Sequence, residues 1–144
     1  MERLICKALL WKFGLTDGSD YSRTLDEIFL SDVNNDLLLE LESCSYDYDA
    51  ALDILQGFWK YECKVFCVDT FGRCLTENLK VVYESNVYSI EDFGKKCYSL
   101  WQQLPNELNT IEPFHTLCCA DDPLSWGDEE QARKIYEEFF EFYK

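Results

Sequence analysis

The chain has 144 residues, of which 28 are acidic and 13 are basic, and its formal net charge at pH 7 is -15. So acidic a surface repels polyanions, which excludes nucleic-acid binding through a general basic surface. Hydrophobic residues make up 47% of the chain and aromatic residues 16%, more than a disordered acidic tail contains. We predict a single folded domain over residues 1–144, because a chain of this length buries about 68–70% of its unfolded surface.

The N-terminal segment and the cysteines bear on the compartment. Arg3, Lys7 and Lys12 interrupt the apolar residues 1–13, which therefore do not resemble the apolar region of a signal peptide. No uninterrupted apolar stretch reaches the roughly 18–20 residues of a membrane span. The eight cysteines are an even number, but without an export signal we expect reduced thiols. These features predict a cytoplasmic protein that does not contact a membrane.

Periodic apolar residues predict two helices at the start of the chain. The first has its apolar face within residues 4–13 and ends at Gly14, which readily adopts the left-handed conformation of a helix C-terminus. The second has its apolar face within residues 21–29, and either Ser19 or Asp20 is its predicted N-cap.

Two further helices are predicted before residue 60. Asp32 is the expected start of the third, whose apolar positions lie within residues 37–41. Asp47 or Asp49 is the expected start of the fourth, whose apolar positions lie within residues 51–59. Both are acidic amphipathic helices with short connections.

The middle of the chain admits two interpretations. Residues 61–65 alternate apolar and polar, residues 70–73 favour a turn, and residues 79–83 are rich in β-branched side chains, which together predict a hairpin. The competing interpretation continues the fourth helix, because apolar residues within 55–66 also recur at helical spacing. We favour a mainly α, single-domain helical fold, with an α+β arrangement carrying one small hairpin as the alternative.

A helix with a clear start and end follows this region. Ser89 and Asp92 have the spacing of a capping box, and an apolar face runs through residues 90–104 until Pro105 terminates it. The last predicted helix begins in the same way, at Asp128, and its apolar face runs to residue 143.

Residues for catalysis are scarce. His115 is the one histidine, so any serine–histidine or cysteine–histidine mechanism depends on it. Its apolar neighbours Phe114 and Leu117 favour a structural or surface histidine over a catalytic one. The six glycines form neither G-x-x-x-x-G-K nor G-x-G-x-x-G, the common phosphate- and dinucleotide-binding patterns. We therefore predict a protein that is not an enzyme and has no cofactor.

Two groups of thiolate and imidazole ligands invite comparison with zinc sites. They are Cys63, Cys67 and Cys74, and, in a predicted loop, His115, Cys118 and Cys119. Neither group has the paired C-x-x-C spacing of a strong structural site, and two adjacent cysteines are difficult to aim at one ion. The sequence therefore favours free thiols and no bound metal.

The negative charge is concentrated in two segments. Residues 13–59 contain eleven acidic residues and one basic residue, and residues 121–144 contain eight acidic and three basic residues. The negative potential of these segments attracts basic proteins. Protein interfaces place aromatic anchor residues beside such charged residues. The first predicted partner-binding surface, the first acidic face, consists of Asp20, Asp26, Glu27, Asp32, Asp36, Glu40 and Glu42. The second, the tryptophan patch, consists of Asp121, Asp122, Trp126, Asp128, Glu129 and Glu130.

Two segments resemble the small acidic immunity proteins of bacterial toxin systems, in particular those of contact-dependent growth inhibition. They are TLDEIFLSDVNNDLLLELE (Thr24–Glu42) and EPFHTLCCADDPLSWGDEEQARKIYEEFFEFY (Glu112–Tyr143), about a third of the chain. The resemblance implies a cytoplasmic protein that binds one cognate toxin, often a basic nuclease, and blocks its active site or its access to the target. These families share no catalytic motif, so the resemblance assigns no role to an individual residue.

Charge and resemblance together predict a non-enzymatic inhibitor that neutralises a basic toxin through an acidic surface. The predicted partner is a basic protein, and neither nucleic acid nor a membrane. Two alternatives stay open. One is a nucleic-acid mimic that occupies the binding groove of a DNA- or RNA-binding enzyme, and the other is a cysteine-rich metal-binding protein.

Overall fold

The computed structural model describes residues 1–61 and 66–144, and every regular element in these ranges is a helix. The prediction of a mainly helical fold is confirmed. Contacts divide the chain into two compact units, residues 1–71 and 72–144. The prediction that the whole chain forms one domain stays a prediction. None of the helices in the described ranges has the length and apolar character needed to cross a membrane.

The described ranges contain eight α-helices and two 3₁₀ helices. The first unit contains α1 (Glu2–Lys12), α2 (Gly18–Ser31), α3 (Asp36–Ser43) and α4 (Tyr48–Tyr61), and α5 (Val68–Ser85) begins in it. The second unit contains the rest of α5, then α6 (Ile90–Gln102), α7 (Asn106–Asn109), the first 3₁₀ helix (Phe114–Cys118), the second 3₁₀ helix (Asp122–Trp126) and α8 (Glu129–Phe140).

In the first unit, α1 packs against α2 and α4, and α3 packs against the same two helices. The spacing of apolar residues explains why α1 is so deeply buried, since positions three and four apart form a continuous face. Its buried residues are Leu4, Ile5, Cys6, Ala8, Leu9 and Leu10. Gly14 follows α1 with a φ of 71°, which confirms the predicted left-handed end of this helix.

The N-caps of α2 and α4 show how local polar residues set helix starts. Asp17 caps α2 by accepting a hydrogen bond from the backbone N–H of Ser19, so the prediction of Ser19 or Asp20 as the cap is wrong. Asp47 accepts hydrogen bonds from the backbone N–H groups of Asp49 and Ala50 at the start of α4. The first of the two predicted starts of this helix is therefore confirmed.

The start of α3 differs from the prediction by four residues. Asn35 is its N-cap, and the Asn35 side-chain oxygen accepts hydrogen bonds from the backbone N–H groups of Leu37 and Leu38 at 3.0 and 3.3 Å. Asp32, the predicted start, is instead the C-cap of α2. Asn and Asp cap helices about equally well, so composition alone does not separate the two positions.

The predicted hairpin is wrong where the structure describes it. Residues 70–73, expected as a turn, and 79–83, expected as a strand, both lie within α5. Phe71, Leu75 and Leu79 recur at helical spacing and are fully buried, so burial of this face outweighs the strand preference of the β-branched residues. Residues 62–65 of the other predicted strand, and the predicted extension of the fourth helix past Tyr61, lie outside the described residues.

The second unit is built around short helical segments. α6 and α7 pack against the first 3₁₀ helix, and α8 packs against the second. Ser89 caps α6 and Asp128 caps α8, as predicted, each accepting a hydrogen bond from the backbone N–H three residues later. α8 ends at Phe140, three residues before the predicted end of its apolar face. Four aromatic rings pack against one another in the second unit. Tyr83 contacts Phe93, Tyr136 and Phe140, and Phe93 also contacts Tyr136.

Candidate functional site

The carboxylates of the first acidic face lie on α2, on α3 and on the connection between them. Asp26, Glu27, Asp32, Asp36 and Glu40 are exposed, and Glu42 is half-buried. In residues 1–61 and 66–144, no lysine, arginine or histidine forms an ion pair with any of these six. Among its described residues, the first unit therefore presents six carboxylates without cationic partners on consecutive elements.

Asp20 differs from the other members of this face. Its carboxylate lies 3.0 Å from Lys7 Nζ and also forms an ion pair with Arg23. Both partners belong to the first unit, one on α1 and one on α2. The charge of Asp20 is thus neutralised within the chain.

Asp26 of α2 and Glu42 of α3 form a carboxyl–carboxyl contact. Burial, a hydrogen bond with Asp26 and repulsion by its charge raise the pKa of the Glu42 carboxyl above its ordinary value. Two acidic groups this close share a proton or repel each other. A lysine or arginine placed over the pair would offset the repulsion between the two carboxylates.

A surface groove of about 410 Å³ runs between α3 and α4. Three apolar side chains line it, and three carboxylates line it as well. The apolar residues are Leu37, Ile54 and Phe58, and the acidic residues are Asp36, Glu40 and Asp53. Gly57 also lines the groove, and a Cβ added there would meet no atom within 4 Å. The missing side chain of Gly57 is therefore one reason why the groove is open.

The groove and the carboxyl pair lie on opposite sides of α3. On a helix, Asp36 and Glu40 lie one turn apart and face the α4 side, whereas Glu42 is turned about 160° from Glu40 and contacts α2. Large apolar side chains are exposed on the same part of the chain: Leu30, Val33 and Leu39 are 77%, 51% and 47% exposed. This combination of carboxylates and exposed apolar side chains is typical of an interface.

The tryptophan patch of the second unit has fewer available carboxylates. Trp126 is 67% exposed at the end of the second 3₁₀ helix, so it does not cover the core. Asp128 caps α8, and Glu129 lies 2.7 Å from Arg133 in an ion pair. Asp121 is half-buried, so Asp122 and Glu130 are the exposed acids of the patch that neither cap a helix nor have a described cation partner. This patch offers an aromatic anchor but less free charge than the first acidic face.

The predicted loop around His115 is helical. His115 and Cys118 belong to the first 3₁₀ helix and Cys119 is its C-cap. The ligand atoms of these three residues lie within 4.8 Å of one another. Burial and the proximity of Cys118 raise the pKa of the Cys119 thiol. Adjacent cysteines are difficult to aim at one ion, but here both thiols lie close to His115 because the helix ends between them.

Several residues of the groove were not predicted as functional. Ile54 and Phe58 belong to the predicted apolar face of the fourth helix, yet both are half-exposed, and Asp53 was not assigned to either surface. A signal for the groove does exist in the sequence. Gly57 interrupts an otherwise strongly helical segment at a cost of about 1 kcal/mol relative to alanine, and its missing side chain leaves space beside the helix.

A comparison of the chain with protein-family models, with curated proteins and with solved structures finds no match.

Proposed function

We propose that this protein is a non-enzymatic inhibitor, an immunity protein that binds and neutralises a basic toxin. The observation that supports the proposal most is the α3 surface, where unneutralised carboxylates flank an open apolar groove. The surface is defined by the groove-lining residues Asp36, Glu40, Asp53, Leu37, Ile54 and Phe58. The groove carboxylates Asp36, Glu40 and Asp53 are exposed to solvent, which favours recognition of a cationic partner over acid–base chemistry by an enclosed pair.

Charge and apolar contact have different roles in such a complex. Carboxylates on an exposed surface speed the encounter with a basic partner and select against acidic ones, but contribute less to the lifetime of the complex. Apolar anchors buried in a pocket supply most of the binding energy at an interface. The groove between α3 and α4 accepts an apolar side chain of the partner, while the surrounding carboxylates bind its lysines and arginines.

The partner is a protein rather than a nucleic acid or a membrane. A net charge of -15 repels phosphate groups. The resemblance of Thr24–Glu42 and Glu112–Tyr143 to immunity proteins of contact-dependent growth inhibition favours a toxin, in particular a nuclease. We place the complex in the cytoplasm, where such a toxin acts and where thiols stay reduced.

The direct test uses the product of the gene adjacent to this one, because an immunity gene lies beside its toxin gene. Expression of that product alone should arrest growth, and co-expression of this chain should restore it. The two purified proteins should form a stable complex. An adjacent product that is harmless, or that arrests growth despite this chain, would contradict the immunity function.

Charge reversal locates the surface. Glu40→Lys with Asp53→Lys should lower the association rate about tenfold at low salt, since both side chains line the groove. Glu77→Lys with Glu137→Lys is the matched control, because it changes the net charge equally at exposed positions of the second unit. An equal effect of the two pairs would show that only the net charge matters.

Filling the groove tests its role separately. Gly57→Leu places a side chain in the open space, and it should raise the dissociation rate by at least about tenfold if a partner anchor enters there. Gly57→Ala is the control, since it makes the same backbone change with a smaller side chain. A complex of unchanged lifetime with Gly57→Leu would exclude the groove from the interface.

A further inference from the structure

A second cluster, whose side chains differ in chemistry from those of the α3 surface, consists of His115, Cys118 and Cys119. They lie in the second unit, and they are the one group of three metal-ligating side chains with mutually close ligand atoms among the described residues. Imidazole and thiolate are the ligands that Zn²⁺ prefers. The cluster has no role in the proposed function.

The 3₁₀ helix explains why two of these side chains meet. A 3₁₀ helix has three residues per turn, so side chains at positions i and i+3 lie one above the other. His115 and Cys118 have this spacing within Phe114–Cys118. Phe114 directly precedes His115, and Leu117 directly precedes Cys118. Both are fully buried and anchor another side of the helix in the core.

Cys119 reaches the same point because the helix ends before it. Its φ of -130° and ψ of -2° depart from helical geometry, and its side chain is half-buried beside that of Cys118. All three ligand atoms fall within 4.8 Å of one another. In a tetrahedral zinc site, ligand atoms are about 3.4–3.8 Å apart, as follows from metal–ligand distances of about 2.0–2.3 Å. The cluster therefore needs to contract by about 1 Å, which rotation of the half-exposed His115 ring allows.

Glu112 precedes His115 by three residues, the same spacing that separates His115 from Cys118. Its Oε1 lies 3.7 Å from His115 Nδ1, and its Oε2 accepts a hydrogen bond from Thr116 Oγ1 at 2.5 Å. Metal-bound histidines almost always donate their second ring N–H to a carboxylate or carbonyl, which fixes the orientation of the ring. Glu112 is placed to do this for His115.

We propose that His115, Cys118 and Cys119 bind a zinc ion, with Glu112 as the positioning residue for the His115 ring. The site has three protein ligands, which leaves the fourth position of a tetrahedral ion to water, because the ring of His115 is half-exposed to solvent. The ion replaces two thiol protons, which leave to solvent as the thiolates form.

The experiment uses the full chain without a histidine tag, reduced and freed of metal, and titrates it with Co²⁺ and then with Zn²⁺. One equivalent of Co²⁺ should produce thiolate-to-cobalt charge-transfer absorption in the near ultraviolet and the visible bands of tetrahedral cobalt. One equivalent of Zn²⁺ should remove both. Absence of charge-transfer absorption in the unmodified chain would overturn the proposal.

Variants assign the ligands. Cys118→Ser and Cys119→Ser should each lower the charge-transfer intensity by about half, because each removes one of two thiolates. Cys67→Ser is the matched control, since Cys67 is exposed and belongs to the first unit. Undiminished absorption in the Cys118→Ser, Cys119→Ser double variant would contradict the assignment, and circular dichroism checks that this variant is folded.

Glu112→Gln tests the positioning role. It should keep the cobalt spectrum, since no ligand is lost, but weaken zinc affinity about tenfold in competition with a chromophoric chelator. His115→Ala should change the visible bands as well as the affinity. Equal zinc affinity of Glu112→Gln and the unmodified chain would remove Glu112 from the site.

Discussion

The carboxyl group of Glu42 on α3 lies against that of Asp26 on α2, and the two form a hydrogen bond when Glu42 holds a proton. Two carboxylates at this distance repel each other unless one holds a proton, and in the described residues no cation lies within ion-pair distance of either. The contact between α2 and α3 therefore carries an electrostatic cost at neutral pH. A basic partner would relieve the cost on binding, so the pair favours the complex over the free protein.

Replacing Glu42 with glutamine should stabilise the isolated protein at neutral pH. The folded-state pKa of Glu42 is raised, so the folded state holds its proton more tightly than the unfolded state. Stability contributed by this group is present below the unfolded-state pKa and is lost as the pH rises through the folded-state pKa. We expect Glu42→Gln to raise the free energy of unfolding by about 0.2–0.5 kcal/mol at pH 7, measured by denaturant titration.

The dependence on pH and on Asp26 provides the control. The gain from Glu42→Gln should disappear as the pH falls through the raised folded-state pKa of Glu42, because the protonated carboxyl no longer repels Asp26. Asp26→Asn should give a similar gain, and the two changes together should give less than the sum of both. Strict additivity at pH 7 would show that the two carboxyl groups do not interact.

Gly57→Ala should stabilise the protein by about 0.5–1 kcal/mol. Alanine loses less backbone entropy than glycine when a helix forms, and the new Cβ would meet no atom within 4 Å. Thermal or denaturant unfolding of the purified variant measures the change. A loss of stability would mean that the groove is smaller than its lining residues indicate.

Gly94→Ala makes the same change inside α6 and should have the opposite effect. A Cβ at Gly94 would lie 2.8 Å from the Asp121 Cβ and 3.1 Å from the Tyr136 hydroxyl oxygen, both closer than ordinary contact. Forcing these groups apart costs about 1–3 kcal/mol in a packed region. We expect a lower midpoint of unfolding for Gly94→Ala. Gly57→Ala, measured under the same conditions, should not lower the midpoint.

Asn35→Ala should destabilise the protein by about 1 kcal/mol, because the Asn35 side chain accepts the hydrogen bonds of two backbone N–H groups at the start of α3. Asp32→Ala is the comparison, since Asp32 lies outside this helix and is exposed. Its cost should stay within about 0.5 kcal/mol. A larger cost for Asp32→Ala would place the start of α3 where the sequence pattern put it.

Association with the basic partner should slow steeply as salt rises. Exposed charges are screened over about 8 Å at physiological ionic strength, so a rate that depends on the first acidic face falls between low and physiological salt. Stopped-flow measurements at several salt concentrations provide the rates. A rate independent of salt would contradict the electrostatic part of the proposed function, while leaving the apolar groove as a possible basis of binding.

Much of the helical structure was predictable from local signals. Ser89 and Asp128 combine a capping side chain with a periodic apolar run, and Gly14 follows such a run, so each helix boundary is set within a few residues of chain. Where two signals compete locally, the residue pattern alone did not decide between them. Asn35 and Asp32 are equally good caps, and the strand preference of residues 79–83 was outweighed by a buried face that becomes visible only once the helix is packed.

The sequence by itself determined the net charge, the segments that carry it and the helical character of the chain, because these depend on composition and on neighbours three or four residues apart. Only the tertiary structure decided which charges are available: it pairs Asp20 with Lys7, leaves Glu42 against Asp26, and opens a groove at Gly57. It also brought His115 and the two adjacent cysteines to one point. These relationships join side chains whose distances depend on how helices pack and end, which residue spacing along the chain does not specify.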